Sequence, residues 1–146
     1  MFNQSRAIRG IGMISKGKNP TALELKWRGI VADFADNTDW LEANFGGHNV
    51  NTSQYQFDHF LGAQTKRKPF GRVGEFAIIP IPIKLHERGG SHKLNRTENK
   101  KAFDYEFGTA QYLFEGMIYK MRAYCYEIPF SQDIINAIVR DRKSVV

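Results

Sequence analysis

Apolar positions change their spacing along this chain, and the changes predict a helix, two strands and then further helices. Over residues 20–35 apolar side chains recur every three or four positions, which is the spacing of one helical face. Asn19 and Pro20 supply a start signal, because they offer an N-cap residue followed by a proline at the first helical position. Asp39 can cap a short second helix.

Two aromatic or branched runs in the middle of the chain predict strands. Residues 54–61 carry three aromatic side chains, and residues 76–83 form a largely apolar run that contains Pro80 and Pro82. A basic loop with several glycines joins the two runs. We therefore expect a two-stranded antiparallel ribbon at the centre of the fold.

Three more helices are predicted after the ribbon, each from a residue that can cap it. Thr97 can start a helix that ends at Gly108, Thr109 a helix that continues through Met121, and Ser131 a last helix rich in isoleucine. Helix, strand, strand and then helices is an order typical of the α+β class.

Length and composition predict one folded domain over 19–146, preceded by a flexible basic N-terminal arm, 1–18. The 146 residues are 42% hydrophobic and 25% charged, close to the average for globular proteins. Cys125 is the single cysteine, which excludes an internal disulfide or a zinc site built from several cysteines and favours a reducing compartment. No stretch approaches the roughly 20 apolar residues of a membrane span, so we expect a cytoplasmic protein without a membrane partner.

Positive charge is concentrated in two segments, which indicates a polyanionic partner. The net charge is +6, and both the arm and the loop between the strands are rich in lysine and arginine. Such side chains bind phosphates without reading sequence, so we expect them to contact DNA. The DNA-contact candidates are Arg6, Arg9, Lys16 and Lys18 in the arm, and Lys66, Arg67, Lys68 and Arg72 in the loop.

The densest set of possible metal ligands lies at the ends of the two strands. Asp58 and His59 end the first strand, and His86 and His92 follow the second. Carboxylate and imidazole are suitable donors for a divalent ion that keeps open positions for water and a phosphate. A histidine taken singly is more often a surface or structural residue, and spacing alone does not separate the two interpretations.

Four segments give this pattern a family context. They are Thr21 to Phe34, FDHFLG at 57–62, IPIPIKLHERGGSH at 79–92 and AFDYEFGTAQYL at 102–113. In this order the segments resemble the RecA-dependent, Ref-like branch of phage HNH nucleases. The resemblance implies a ββα-metal core, in which a two-stranded antiparallel ribbon and a short helix are flanked by additional helices.

The resemblance also implies roles for individual residues. His59 would be the general base that activates water, and His86 would be a metal ligand on the short helix, with Asp58 beside it. His92 is not part of this pattern: it could complete the ligand set or hold phosphate, but a histidine in a glycine-rich turn more often has neither role. The cofactor would be Mg²⁺ or Mn²⁺, and the partners DNA and a RecA-type recombinase filament, in the cytoplasm of a phage-infected or prophage-carrying bacterial host. The reaction would be endonucleolytic hydrolysis of phosphodiester bonds in phage recombination or DNA processing.

Two departures from the family pattern keep other functions open. Pro82 and Leu85 stand where two ligands of the family's structural zinc would be, so we expect no structural zinc and packing by apolar side chains instead. The middle residue of the HNH triad falls near residues 75–77 and is not matched. The alternatives are therefore a degenerate HNH fold that binds DNA or a recombination partner without cleaving, and an interaction domain that uses its tyrosines.

Overall fold

The computed structural model describes residues 19–140, so the predicted arm, with Arg6, Arg9, Lys16 and Lys18, lies outside the described residues. The described chain is an α+β fold, as predicted. Its elements in chain order are α1 (Ala22–Asn37), α2 (Trp40–Phe45), β1 (Tyr55–His59), β2 (Lys66–Arg67), β3 (Gly71–Arg72), β4 (Ile78–Pro82), a 3-10 turn (Ile83–Leu85), α3 (Lys100–Phe107), α4 (Ala110–Ala123) and α5 (Gln132–Val139).

A capping box sets the start of α1. The Thr21 hydroxyl accepts a hydrogen bond from the Glu24 N–H at 3.2 Å, and the Glu24 carboxylate accepts one from the Thr21 N–H at 2.7 Å. The predicted cap at Asn19 is therefore wrong, because the reciprocal Thr21 and Glu24 pair satisfies the free N–H groups of the first turn. The helix then buries Trp27, Val31 and Phe34.

The predicted ribbon is the antiparallel pair of β1 and β4, with Tyr55 opposite Pro82 and His59 opposite Ile78. Every residue of β4 is buried, and α1, α2 and α4 pack against it. Proline has no N–H to donate, so a strand with two prolines suits a two-stranded ribbon that has no neighbour on its other edge. The predicted second strand was thus correct through Pro82.

The short helix that the resemblance implies after the ribbon is a single 3-10 turn, and His86 is the residue that caps its C-terminus. The next helix, α3, has Asn99 rather than Thr97 as its N-cap. Thr97 instead donates its hydroxyl hydrogen bond to the His86 carbonyl, which ties the chain before α3 back to this turn.

The remaining helix boundaries follow the predicted signals. Gly108 ends α3 with a φ of 101°, a conformation that favours glycine. Thr109 and Ser131 cap α4 and α5 through their hydroxyls. Asp39 stands at the N-cap of α2 but makes no capping bond with its side chain. Across residues 19–140, no helix combines the length and apolar character needed to cross a membrane.

Trp27 joins α1 to the ribbon and offers a test of the packing. Its indole N–H donates to the Phe76 carbonyl at 2.9 Å, and its ring meets the edge of Phe130 at 4.8 Å between centroids. We expect Trp27→Phe to lower the free energy of unfolding by about 1–3 kcal/mol, because it removes a buried hydrogen bond and leaves space where the larger indole packs. Urea denaturation measures this, with the exposed Tyr105→Phe as a control that changes little. Equal stability of Trp27→Phe and the unmodified protein would contradict the assigned contact.

Candidate metal and nucleic-acid site

Asp58 and His59 are neighbours in β1 but belong to different clusters. Successive side chains of a strand point to opposite faces of the sheet. Asp58 is buried toward the turn that follows β4, whereas His59 is partly exposed and contacts the segment before β4. Of the predicted site residues, the structure therefore brings together Asp58 and His86, and it places the His59 side chain on the opposite face of β1, in a separate contact.

The first cluster joins Asp58, His86 and Arg96. Asp58 Oδ1 lies 3.3 Å from His86 Nε2, and Asp58 Oδ2 lies 2.7 Å from an Arg96 guanidinium nitrogen. The other His86 ring nitrogen, Nδ1, lies 2.6 Å from Gln56 Oε1. The carboxylate thus presents one oxygen to an arginine and the other to an imidazole at the protein surface.

Asn95 helps to hold the two segments that carry His86 and Arg96 together. It is fully buried, and its amide donates to the carbonyls of Lys84 and Glu87 at 2.9 Å each. The next residue, Arg96, donates its N–H to the Leu85 carbonyl at 2.7 Å. The turn that carries His86 and the segment that carries Arg96 are therefore fixed to each other.

The hydrogen bond to Gln56 determines whether the Nε2 atom of His86 faces Asp58 with a proton or with a lone pair. With an amide oxygen as partner, Nδ1 carries the proton and Nε2 of the neutral ring is left with its lone pair. That lone pair faces a carboxylate oxygen, and two acceptors at 3.3 Å repel each other unless a cation or a second ring proton lies between them. Two ligands held about 2.1 Å from one ion at right angles lie about 3.0 Å apart, so the residues fit a shared divalent ion.

The second cluster joins His59, Glu75 and Arg28. His59 Nε2 lies 3.1 Å from Glu75 Oε1, and the same oxygen accepts a hydrogen bond from Arg28 at 2.8 Å. A carboxylate oxygen only accepts, so Nε2 carries the proton and Nδ1 is left as the acceptor. Burial alone would raise the pKa of Glu75, but Arg28 and then His59 outweigh it and hold the pKa below its ordinary value of 4.5.

Glu75 and Arg96 were not assigned roles from the sequence, although Glu75 lies within residues 75–77, where the middle residue of the triad falls. Glu75 stands alone as an acid in the largely apolar segment 73–83, and such a residue needs a partner when it is buried. That signal points to Glu75 but not to its partners, which are distant in sequence. Nothing in the sequence distinguishes Arg96 from the other basic residues around it.

His92 lies apart from both clusters and links two loops. Its Nδ1 accepts a hydrogen bond from the Leu94 N–H at 3.0 Å, so Nε2 carries the proton and donates to the His48 carbonyl at 2.8 Å. Both ring nitrogens are therefore used within the fold. Within residues 19–140, no group of three or more histidine, cysteine, aspartate or glutamate side chains is placed to hold a metal ion.

His48 is a second structural imidazole in this region. Its Nδ1 lies 3.2 Å from the Phe45 carbonyl and 3.1 Å from the Gly46 carbonyl, and its Nε2 lies 3.1 Å from Glu106. The hydrogen bond with Glu106 raises the pKa of His48 above its ordinary value of 6.5, and the two carbonyls act in the same direction. The ring fastens the end of α2 to α3.

The predicted DNA-contact loop is a small antiparallel hairpin of β2 and β3, with Lys66 opposite Arg72. Lys66 and Lys68 are exposed and Arg67 is partly exposed. Arg72 differs from the others, because its side chain is only 5% exposed and pairs with the buried Glu24. It also donates to the Asn19 carbonyl at 2.9 Å. Arg72 therefore anchors the hairpin to α1, and the segment preceding α1 joins the fold beside it.

The comparisons with known proteins gave no match: no family model, no curated protein and no solved structure matches this chain.

The second cluster makes a pH-dependent prediction. The folded-state pKa of Glu75 lies below its unfolded value, so its carboxylate stabilises the fold fully above about pH 4.5, and this contribution is lost as the pH falls through the folded-state pKa. We expect Glu75→Gln to be less stable than the unmodified protein at pH 7, by about 1–3 kcal/mol, and the difference to shrink toward pH 3. Denaturant unfolding across this range measures it. A difference that stays constant with pH would contradict the ion-paired state of Glu75.

Proposed function

We propose that this chain is a metal-dependent DNA endonuclease of the ββα-metal (HNH) type. The observation that carries the proposal is that two consecutive residues of one strand each pair a histidine with a carboxylate. Asp58 faces His86, and the His59 imidazole contacts the buried Glu75 carboxylate. Adjacent Cα atoms are about 3.8 Å apart, but the two side chains leave opposite faces of β1, so a phosphodiester served by both would lie across the edge of this strand.

His59 would be the general base. Glu75 accepts a hydrogen bond from the Nε2–H of His59 and is itself held by Arg28, so Nδ1 is left to accept a proton from water. A carboxylate in this position keeps the ring in one tautomer and stabilises the imidazolium that forms. Glu75 would thus do the orienting work that the unmatched middle residue of the HNH triad does in the family.

Asp58 and His86 would bind Mg²⁺ or Mn²⁺, with water and a phosphate oxygen as the remaining ligands. When bound, such an ion stabilises negative charge on the scissile phosphate. Gln56 would hold His86 in the ligating tautomer and Arg96 would orient Asp58, as partners of metal ligands commonly do. His92 is left out of this ligand set, because both of its ring nitrogens are engaged.

This chain differs from the family pattern in two structural features. The 3-10 turn replaces the short helix of the ββα core, and the fully buried Leu85 stands where a structural zinc ligand would be. The biological setting rests on the sequence resemblance: phage recombination or DNA processing, with a RecA-type filament as partner, in the bacterial cytoplasm.

A second candidate function is DNA binding without cleavage. It is favoured by the Arg96 guanidinium, which already neutralises part of the Asp58 charge. An arginine at a carboxylate weakens its attraction for a metal ion, and within residues 19–140 the structure brings no third histidine, cysteine or carboxylate to Asp58 and His86.

A cleavage assay separates these two functions. Supercoiled and single-stranded circular DNA are incubated with the purified protein and Mg²⁺ or Mn²⁺, with and without RecA filaments. We expect cleavage that His59→Ala and Asp58→Asn each reduce by about a hundredfold or more, since a general base contributes on that order. His48→Gln is the matched control, because it changes a histidine outside both clusters, and it should retain nearly full activity.

Two outcomes would contradict the proposal. If His59→Ala cleaves as fast as the unmodified protein, the activity does not use this base. If DNA is bound under every condition and never cut, the binding function replaces the nuclease function. Gel-shift and thermal-melting measurements on each variant exclude loss of binding or of folding as the cause.

A further inference from the structure

The two chain segments at the base of the hairpin of β2 and β3, residues 62–65 and 73–74, are closely packed against each other. We call this base the neck. In the neck, the N–H groups of Val73 and Gly74 both donate to the Thr65 carbonyl, at 2.9 and 3.1 Å. A Cβ at Gly74 would lie 2.0 Å from the Gly62 carbonyl oxygen, so the two sides of the neck approach too closely for any other residue. The hairpin therefore leaves the fold through a fixed point.

The neck is also anchored to the core. Val73 is fully buried, and Arg72 forms its buried ion pair with Glu24 of α1. Burying an ion pair costs desolvation free energy, and a buried pair fixes geometry, because neither partner can be left alone in the interior. The hairpin is therefore held in one orientation relative to the helix.

The apex, residues 66–70, has a different composition from the neck. Lys66, Lys68 and Pro69 are exposed, and the Phe70 ring is 37% exposed without joining the hydrophobic core. The Phe70 N–H donates to the Arg67 carbonyl at 2.8 Å, which sets the turn that presents the ring. An exposed aromatic residue that follows two exposed lysines matches a ligand with flat apolar faces and phosphates, which is a nucleic acid.

The position of the hairpin connects it to the candidate site. The Gly62 N–H donates to the His59 carbonyl at 2.8 Å on one side of the hairpin, and Glu75 follows directly after Gly74 on the other. The hairpin thus emerges between the two members of the His59 and Glu75 pair. The base of the hairpin therefore adjoins this pair.

The shape of the hairpin favours duplex over single-stranded DNA. Proteins that follow a single strand offer successive aromatic platforms in a basic groove, whereas the apex carries one ring on a protruding two-stranded ribbon. β-Ribbons bind in the major or the minor groove of a duplex, and proteins that bind the minor groove insert single apolar side chains as wedges between base steps.

We propose that this hairpin is a duplex-DNA wedge, in which Phe70 enters between base pairs while Lys66 and Lys68 hold the flanking phosphates. The choice of DNA as ligand rests on the proposed function, but the wedge does not require cleavage. A bound duplex would be locally unstacked next to His59, which gives the site a distorted backbone to act on.

Binding measured in EDTA tests the wedge without any hydrolysis. Fluorescence anisotropy gives the affinity of the full chain for a short duplex and for the single strand of the same sequence, and 2-aminopurine at several positions of the duplex reports unstacking. We expect duplex to be bound more tightly and 2-aminopurine fluorescence to rise. Phe70→Ala should weaken duplex binding about tenfold and abolish the rise.

Matched variants distinguish insertion of Phe70 from nonspecific electrostatic attraction to DNA. The double variant Lys66→Gln and Lys68→Gln should reduce the slope of log affinity against log salt by about 2. The controls are Tyr105→Ala and Lys101→Gln, which change an exposed aromatic residue and an exposed lysine on α3. Both controls should bind DNA as the unmodified protein does. Unchanged duplex binding by Phe70→Ala, or tighter binding of the single strand, would overturn the proposal. Because this experiment measures no cleavage, a negative nuclease assay would not contradict the wedge. Likewise, failure of the wedge test would not contradict the nuclease proposal.

Discussion

The pairing of β1 with the buried strand β4 is the constraint on which the candidate site depends. β4 is enclosed by α1, α2 and α4, so its register cannot shift without moving apolar side chains out of the core. The register in turn fixes the orientation of β1. A slip by one residue would exchange Asp58 and His59 between the two faces and remove both clusters at once.

Buried carboxylates add a second constraint, because each of those described is paired with an arginine. Glu24 pairs with Arg72, Glu75 with Arg28, and Asp58 with Arg96. Such pairs contribute little net stability, but the loss of one partner leaves an uncompensated charge in the interior. These ion pairs therefore fix the positions of the segments that they join. One pair anchors the hairpin, another orients the imidazole of His59, and the third orients the carboxylate that faces His86.

The local features of this fold were predictable from the sequence, and the long-range ones were not. The helix of α1, the ribbon and the caps at Thr109 and Ser131 follow from periodicity and local hydrogen bonding, which depend on neighbouring residues. The start of α1 was mistaken because two cap signals, at Asn19 and Thr21, stand close together and the capping box decides between them.

The candidate site was only partly predictable, for the same reason. Strand ends brought Asp58 and His86 together as expected, because the ribbon joins them. Glu75 was not identified as the partner of His59, and Arg96 was not identified as the partner of Asp58, since these contacts depend on how loops return to the ribbon. His92 was expected near the metal ligands because it is close to His86 in sequence, but the loop directs its ring to the backbone of His48 and Leu94.

We propose that Asp58 and His86 together bind one divalent ion. Anomalous diffraction from crystals soaked in MnCl₂ tests it most directly. The account predicts a manganese peak between Asp58 Oδ1 and His86 Nε2, at about 2.0–2.3 Å from each, with Arg96 still on Oδ2 and no peak in Asp58→Asn. A structure at saturating Mn²⁺ with no ion between these two atoms would contradict it.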